Sequence, residues 1–139
     1  MKILVINGPN LNKLGTREPG IYGNFTLSDI EKELRSIKEA EFSFFQSAIE
    51  GELVNAILDN HADGIILNAG AYTHYSYAIK DAISATPAKV VEVHISNTAA
   101  REEFRNISVI SGVCNGTITG FGMGSYILAA RALIWGLTR

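Results

Sequence analysis

The chain has one cysteine among its 139 residues, so Cys114 has no internal partner and a disulfide framework is excluded. No run approaches the ~20 apolar residues that a membrane span needs. Even the greasiest segment, Tyr126 to Leu137, is broken by Arg131 and Gly136. No basic n-region with an apolar stretch precedes the first apolar run, which makes a soluble, cytoplasmic protein the expectation. Lys and Arg nowhere cluster among aromatics, and a formal net charge of −2 argues against nucleic acid or an anionic membrane as partner. Linkers, internal repeats and low-complexity tracts are also missing. With 47% hydrophobic residues, residues 1–139 are expected to form a single domain with its own core, acting on a small molecule.

What is present is a regular alternation. Short apolar runs at Lys2–Ile6, Phe42–Gln46, Gly64–Leu67, Lys89–Val93 and, less sharply, Gly116–Gly120 read as strands. Between them, Leu27, Ile30, Leu34 and Ile37, then Leu53, Val54, Ile57 and Leu58, then Ala78, Ile79, Ala82 and Ile83 have helical spacing. Thr26 with Asp29, or Ser28 with Glu31, fits a capping box at the first of these helices, and Pro87 follows the third. Strands without alternation, separated by helices, imply a parallel sheet covered on both faces. The fold class is α/β, a doubly wound five-stranded parallel sheet in the flavodoxin-like order 2-1-3-4-5. The last helix, Ser125 to Leu137, is apolar around most of its circumference, which suits either a subunit contact or burial within the monomer.

Compact domains usually join their elements with about 4–6 residues. The stretch from Asn7 to Gly23 is much longer and is rich in Gly, Pro and Asn. It reads as a binding loop or lid, expected to be mobile when empty and ordered with ligand. Ligands of open parallel sheets bind beyond the carboxyl ends of the strands. There the first strand delivers Asn7 and Asn10, the third Asn68, Gly70, Tyr72, Thr73 and His74, and the fourth Glu92, His94, Ser96 and Asn97. Each alone is ordinary turn chemistry; together they make a polar edge with two histidines, the side chains that titrate closest to neutral pH.

Glu92 and His94 share a strand face, where a carboxylate fixes the imidazole's tautomer, a general-acid arrangement. In the long loop, Arg17 beside Tyr22 would favour a phenolate able to abstract a carbon-bound proton. An equally good reading has Arg17 binding an anion while Tyr22 packs the loop. Arg101 and Arg105 would lie on one face if their segment were helical. Surface ion pairs with Glu102, Glu103 or Asp81 are a stronger alternative for Arg101 than for Arg105. His61 receives no role.

Several classes fall away. A phospho-receiver would need acidic residues where Asn7 and Asn68 stand, and a flavodoxin would need hydroxyls where Gly8-Pro9-Asn10-Leu11 stands. Gly120-Phe121-Gly122-Met123-Gly124 lacks dinucleotide spacing and follows the last strand; close helix–strand packing explains it better. No Gly-x-Ser-x-Gly elbow occurs, and His74, His94 and Glu92 have no zinc spacing signature. Cofactor-free, metal-free acid–base chemistry remains.

Three blocks then carry a resemblance. Asn7-Gly8-Pro9-Asn10-Leu11-Asn12 with Leu14-Gly15-Thr16-Arg17-Glu18-Pro19 and Ile21-Tyr22-Gly23 is the first. The others are Asn68-Ala69-Gly70-Ala71-Tyr72-Thr73-His74, and Glu92-Val93-His94-Ile95-Ser96-Asn97 with Arg101-Glu102-Glu103-Phe104-Arg105. In content, order and spacing the chain resembles the type II 3-dehydroquinate dehydratases of the shikimate pathway of aromatic biosynthesis. The resemblance implies reversible anti elimination of water from 3-dehydroquinate through an enolate or enol, giving 3-dehydroshikimate without metal or cofactor. It implies Tyr22 as base with Arg17 as activator, Asn10 stabilising the enolate oxygen through a water, and His94 oriented by Glu92 as general acid. Asn68, His74 and Arg105 would bind ring hydroxyls, and Ile95 and Ser96 the carboxylate. Asp81 would reach a neighbouring subunit's site in a homododecamer built from trimers. Glu18 is a second candidate base, though its place between Arg17 and Pro19 also suits a loop-pinning ion pair.

Ala48, Ala69 and Ala99 depart from the family's usual residues, and Ile107 to Thr119 matches poorly; none removes a proposed catalytic group. The rival from another class is a non-catalytic flavodoxin-like module that binds a hydroxylated carboxylic acid.

Overall fold

The computed structural model describes residues 1–16 and 18–138. Its strands are β1 (Lys2–Asn7), β2 (Glu41–Gln46), β3 (Gly64–Asn68), β4 (Lys89–His94) and β5 (Gly116–Thr119). They are all parallel, in the order β2-β1-β3-β4-β5, the doubly wound arrangement expected from the pattern. Three strands run one residue further than their apolar runs. Asn7, Asn68 and His94 are the last residues of β1, β3 and β4, so part of the polar edge is held by the sheet itself.

The helices are α1 (Pro19–Tyr22), α2 (Leu27–Arg35), α3 (Glu50–Leu58), α4 (Tyr77–Ala85) and α5 (Gly124–Thr138). Of the two candidate boxes, Thr26 with Asp29 caps α2: Thr26 Oγ1 accepts the Asp29 N–H at 3.2 Å and Asp29 Oδ2 accepts the Thr26 N–H at 2.9 Å. Strand parity divides the core. Ile3, Val5, Ile66, Val91 and Val93 pack with Ile30 and Leu34 of α2 and with Tyr126, Ala129 and Leu133 of α5. Ile6, Ile65, Leu67 and Val90 pack on the other face with Leu53 and Ile57 of α3 and with Ile79 and Ile83 of α4. Thus α5 is buried along one face within the monomer, while Leu128 and Trp135 remain exposed on it.

Two expectations change. The long first loop is partly helical, with a 3-10 turn at Leu11–Lys13 followed by α1. The glycines after β5 serve a turn: Gly120 and Gly122 have φ of 94° and 60°, whereas a Cβ on Gly124 would meet Phe121 at an ordinary 3.7 Å. Positive φ, which costs glycine little, explains the motif better than close helix–strand packing does.

At the switch point, where chain order reverses, Asn7 of β1 and Asn68 of β3 are paired in register. Their parity aims both at α5, where the wholly buried Tyr126 joins them. Asn68 Nδ2 donates to Tyr126 Oη at 2.9 Å and Tyr126 Oη donates to Asn7 Oδ1 at 2.5 Å. Burial pushes the phenol's pKa upward, so it stays protonated to make the second bond. Beyond it, Gly8 N–H donates to Asn68 O at 2.7 Å, and a Cβ on Gly8 would lie 2.5 Å from Ala69 O. Tyr126→Phe leaves both buried amides short of a partner and is expected to cost about 1–3 kcal/mol. It should appear as a lower urea midpoint with an unchanged slope; an unaltered midpoint would mean that the amides re-pair.

Candidate active site

A cleft opens beyond the carboxyl ends of β1, β3 and β4, where sheet topology places ligands. The segment after β1 contributes Pro9, Leu11 and, from α1, Tyr22; β3 and the 3-10 turn Gly70–His74 contribute Asn68, Gly70 and His74. The end of β4 and the chain beyond it contribute His94, Ile95, Ser96, Thr98, Arg101 and Arg105. Tyr22, Asn68, His74, His94, Ile95, Ser96 and Arg105 are therefore brought to one place. Glu92 sits one layer deeper. Asn10 has a left-handed backbone (φ 70°) that turns the chain into Leu11–Lys13, and it is exposed outside the cleft wall. Asp81 lies on the exposed side of α4, also outside the wall. Arg17 lies outside the described residues.

Glu92 has no exposed surface, and His94 is 8% exposed. His94 Nε2 and Glu92 Oε1 are 2.7 Å apart, which engages Nε2 and leaves Nδ1 as the ring atom available to a ligand. A buried carboxylate is costly unless donors surround it. Two more are present: Ser108 Oγ at 2.9 Å from Oε1 and Thr117 Oγ1 at 3.2 Å from Oε2. The shared face of Glu92 and His94 follows from strand parity, but the two hydroxyls come from a segment, Ile107 to Thr119, that carries no site motif.

The two arginines both line the cleft but differ in their contacts. Their segment is two 3-10 turns, Thr98–Ala100 and Glu103–Asn106, with Arg101 extended between them, so no helical face joins the pair. Arg105 takes the surface ion pair, Nε to Glu102 Oε2 at 2.7 Å, and holds that carboxyl below its ordinary range. Arg101 faces inward, with Nη1 donating to Ser96 Oγ at 3.2 Å and its guanidinium carbon 5.1 Å from the centre of the Tyr22 ring. Among the described residues its buried Nε has no hydrogen-bond partner. A cation over an aromatic face is attractive and holds the ring in place. Arg101 is thus a cleft residue for which the sequence favoured a surface ion pair, because charge spacing cannot tell that both neighbouring arginines reach the cleft.

The remaining groups are partly committed. His74 Nδ1 lies 2.6 Å from Ile107 O, so it carries the proton and donates, leaving Nε2 for a ligand. Asn68 already spends Nδ2 on Tyr126 and accepts the Gly70 N–H on Oδ1 at 3.2 Å. The thiol of Cys114 is pushed up to about 12 by burial and by the charge of Glu92, so at neutral pH it is no nucleophile. Among the described residues, no three His, Cys, Asp or Glu side chains converge to hold a metal ion. No helix among them is long and apolar enough to cross a membrane. The cleft offers a phenol, an imidazole backed by a buried carboxylate, and two guanidinium groups, a set suited to acid–base chemistry on a small anion.

Comparison with known proteins places this geometry. Residues 1–134 match the family model described as Dehydroquinase class II. A 3-dehydroquinate dehydratase of an Exiguobacterium species is 57% identical over 137 residues, covering 96% of this chain and 94% of the relative. One from Pelodictyon phaeoclathratiforme is 55% identical over 139 residues, covering 96% and 92%. The crystal structure of a type II dehydroquinase from Butyrivibrio crossotus superposes with a TM-score of 0.92 at 50% identity, covering 96% of this chain and 97% of that one. The chain, with its parallel sheet and its Tyr22, His94 and Arg101 on one cleft, belongs to the class II dehydroquinase family.

Proposed function

We propose that this class II dehydroquinase removes water from 3-dehydroquinate as a hydro-lyase, with Tyr22 as base and His94 as general acid. The observation that carries the reading is that Tyr22 and a His94 fixed by buried Glu92 line the same cleft. Tyr22 takes the proton from C2, and the C2–H electrons move toward C3 to leave an enolate on the former ketone. As the carbonyl re-forms, the C1–C2 double bond closes and the C1–O bond breaks. The departing hydroxyl takes its proton from His94 and leaves as water.

Arg101 supports the base role, since it puts a fixed positive charge against the ring on which a phenolate would develop. Arg17 remains a proposed activator and Asn10, through a water, the proposed stabiliser of the enolate oxygen. Asn10 stands at the root of the loop bearing Tyr22, so a small closure would carry it inward. Ile95 and Ser96, with Arg101 beside Ser96, suit the substrate carboxylate; His74 Nε2, Asn68 and Arg105 suit the ring hydroxyls. The same reading makes the enzyme cytoplasmic and a homododecamer built from trimers, in which Asp81 would complete a neighbour's site. The exposed position of Asp81 and the exposed apolar side chains Tyr77, Phe104 and Ile107 support such contacts.

Three outcomes are expected. Purified protein added to 3-dehydroquinate produces a rising enone absorbance that chelator leaves unchanged; a flat trace would sink the reading. Tyr22→Phe and His94→Asn each lower kcat by at least about a hundredfold while substrate binding persists in calorimetry, and near-full activity removes that residue from its role. Mixing Tyr22→Phe with Asp81→Ala subunits under exchange restores part of the activity if Asp81 acts across an interface. Light scattering checks the dodecamer, and no restoration in a mixed assembly would place Asp81 outside the site.

A further inference from the structure

We infer that Ser108, which lies outside the substrate cleft, is the positioning residue that commits Glu92 to accept the His94 N–H and so fixes the ring for proton transfer. The inference rests on His94 acting as general acid.

The assignment follows from counting hydrogens. A serine hydroxyl has one proton and two acceptor lone pairs. Ser108 Oγ accepts the N–H groups of Ser111 at 3.0 Å and Ile110 at 3.3 Å. Its lone pairs are occupied, so its proton points to Glu92 Oε1, 2.9 Å away. That is the oxygen His94 Nε2 also uses. With one Oε1 lone pair taken by Ser108, the ionised Glu92 presents the other to His94, so Glu92 receives on Oε1 and the imidazole donates from Nε2. Thr117 Oγ1, on the exposed edge strand, donates to the other oxygen, Oε2, at 3.2 Å and does not bear on Oε1.

The backbone around Ser108 is pinned on both sides to the turn after β3. His74 Nδ1 donates to Ile107 O at 2.6 Å, and Val109 N–H donates to Thr73 O at 2.9 Å. Ser108 is therefore presented to Glu92 by a loop clamped between its two neighbours. The other charged or titratable groups facing Glu92 are His74 and Arg105, which line the same chamber, and the neutral thiol of Cys114. Among the described hydrogen bonds, none of these reaches the carboxylate.

Removing the Ser108 hydroxyl takes away a donor that favours the charged carboxylate and frees Glu92 from its fixed orientation toward His94. Substrate contacts in the cleft are untouched. The experiment compares Ser108→Ala, Ser108→Thr and the parent full-length enzyme by enone absorbance, with His94→Asn as control. Ser108→Ala is expected to lower kcat roughly tenfold with KM within about twofold, and Ser108→Thr should restore kcat. If the alanine variant does not fold, Ser108→Cys, which keeps the size but donates weakly, is held to the same criteria. A parental kcat, a loss of kcat that Ser108→Thr does not rescue, or a loss matched by an equal change in KM would overturn the inference. In those cases an inactive His94→Asn leaves the general-acid role standing; an active His94→Asn overturns both.

Discussion

A carboxylate without exposed surface sits near the end of β4, and the loops around it are arranged to supply its hydrogen bonds. Burying such a group uncompensated would cost several kcal/mol, a large share of what holds a small domain together. Glu92 is compensated from three directions: His94 on its own strand, Ser108 from the loop leading to β5, and Thr117 on β5. Satisfying the charge therefore folds the segment between β4 and β5 against the strand ends, and that segment carries Arg101 and Arg105 into the cleft. Stability and chemistry meet in one group, since the bonds that make Glu92 tolerable also orient His94.

The other fixed point is the junction of β1 and β3. Tyr126 reaches from α5 to tie Asn7 to Asn68, and Gly8 lets the two chains leave the sheet in contact. The long first segment thus starts from a rigid root. Its two short helical turns absorb what looked like an oversized connection and bring Tyr22 back over the strand ends, where Arg101 stacks on it. The cleft has a rigid floor at Asn68 and His94, and its roof is held by the contact of Arg101 with an aromatic ring. This division suits an enzyme that must admit a ring substrate and then surround it.

Much of this was legible from residue order. Apolar runs alternating with helical spacing dictate a parallel doubly wound sheet, because strands buried on both faces need helices on both sides. The polar residues ending those runs lie at the strands' carboxyl edge for the same topological reason, and Glu92 with His94 share a face because side chains alternate along a strand. The extra residue at the ends of β1, β3 and β4 was less visible. Asn7, Asn68 and His94 break the apolar pattern, so the pattern ends one residue before the hydrogen-bonded ladder does.

What the sequence by itself determined is therefore the class of fold, the edge at which chemistry occurs and the pairing of Glu92 with His94. Each follows from a local period of two or of 3.6 residues and from the rules for winding a parallel sheet. Only the tertiary structure decided that Arg101 packs on Tyr22 while Arg105 pairs with Glu102, that Tyr126 is a hydrogen-bonding bridge and not just apolar bulk, and that Ser108 serves Glu92. Those outcomes depend on which groups, distant along the chain, converge on a buried polar atom. No local period records that convergence, because it is set by the packing of β4, the loop before β5 and α5 around groups that must each find a partner once water is excluded.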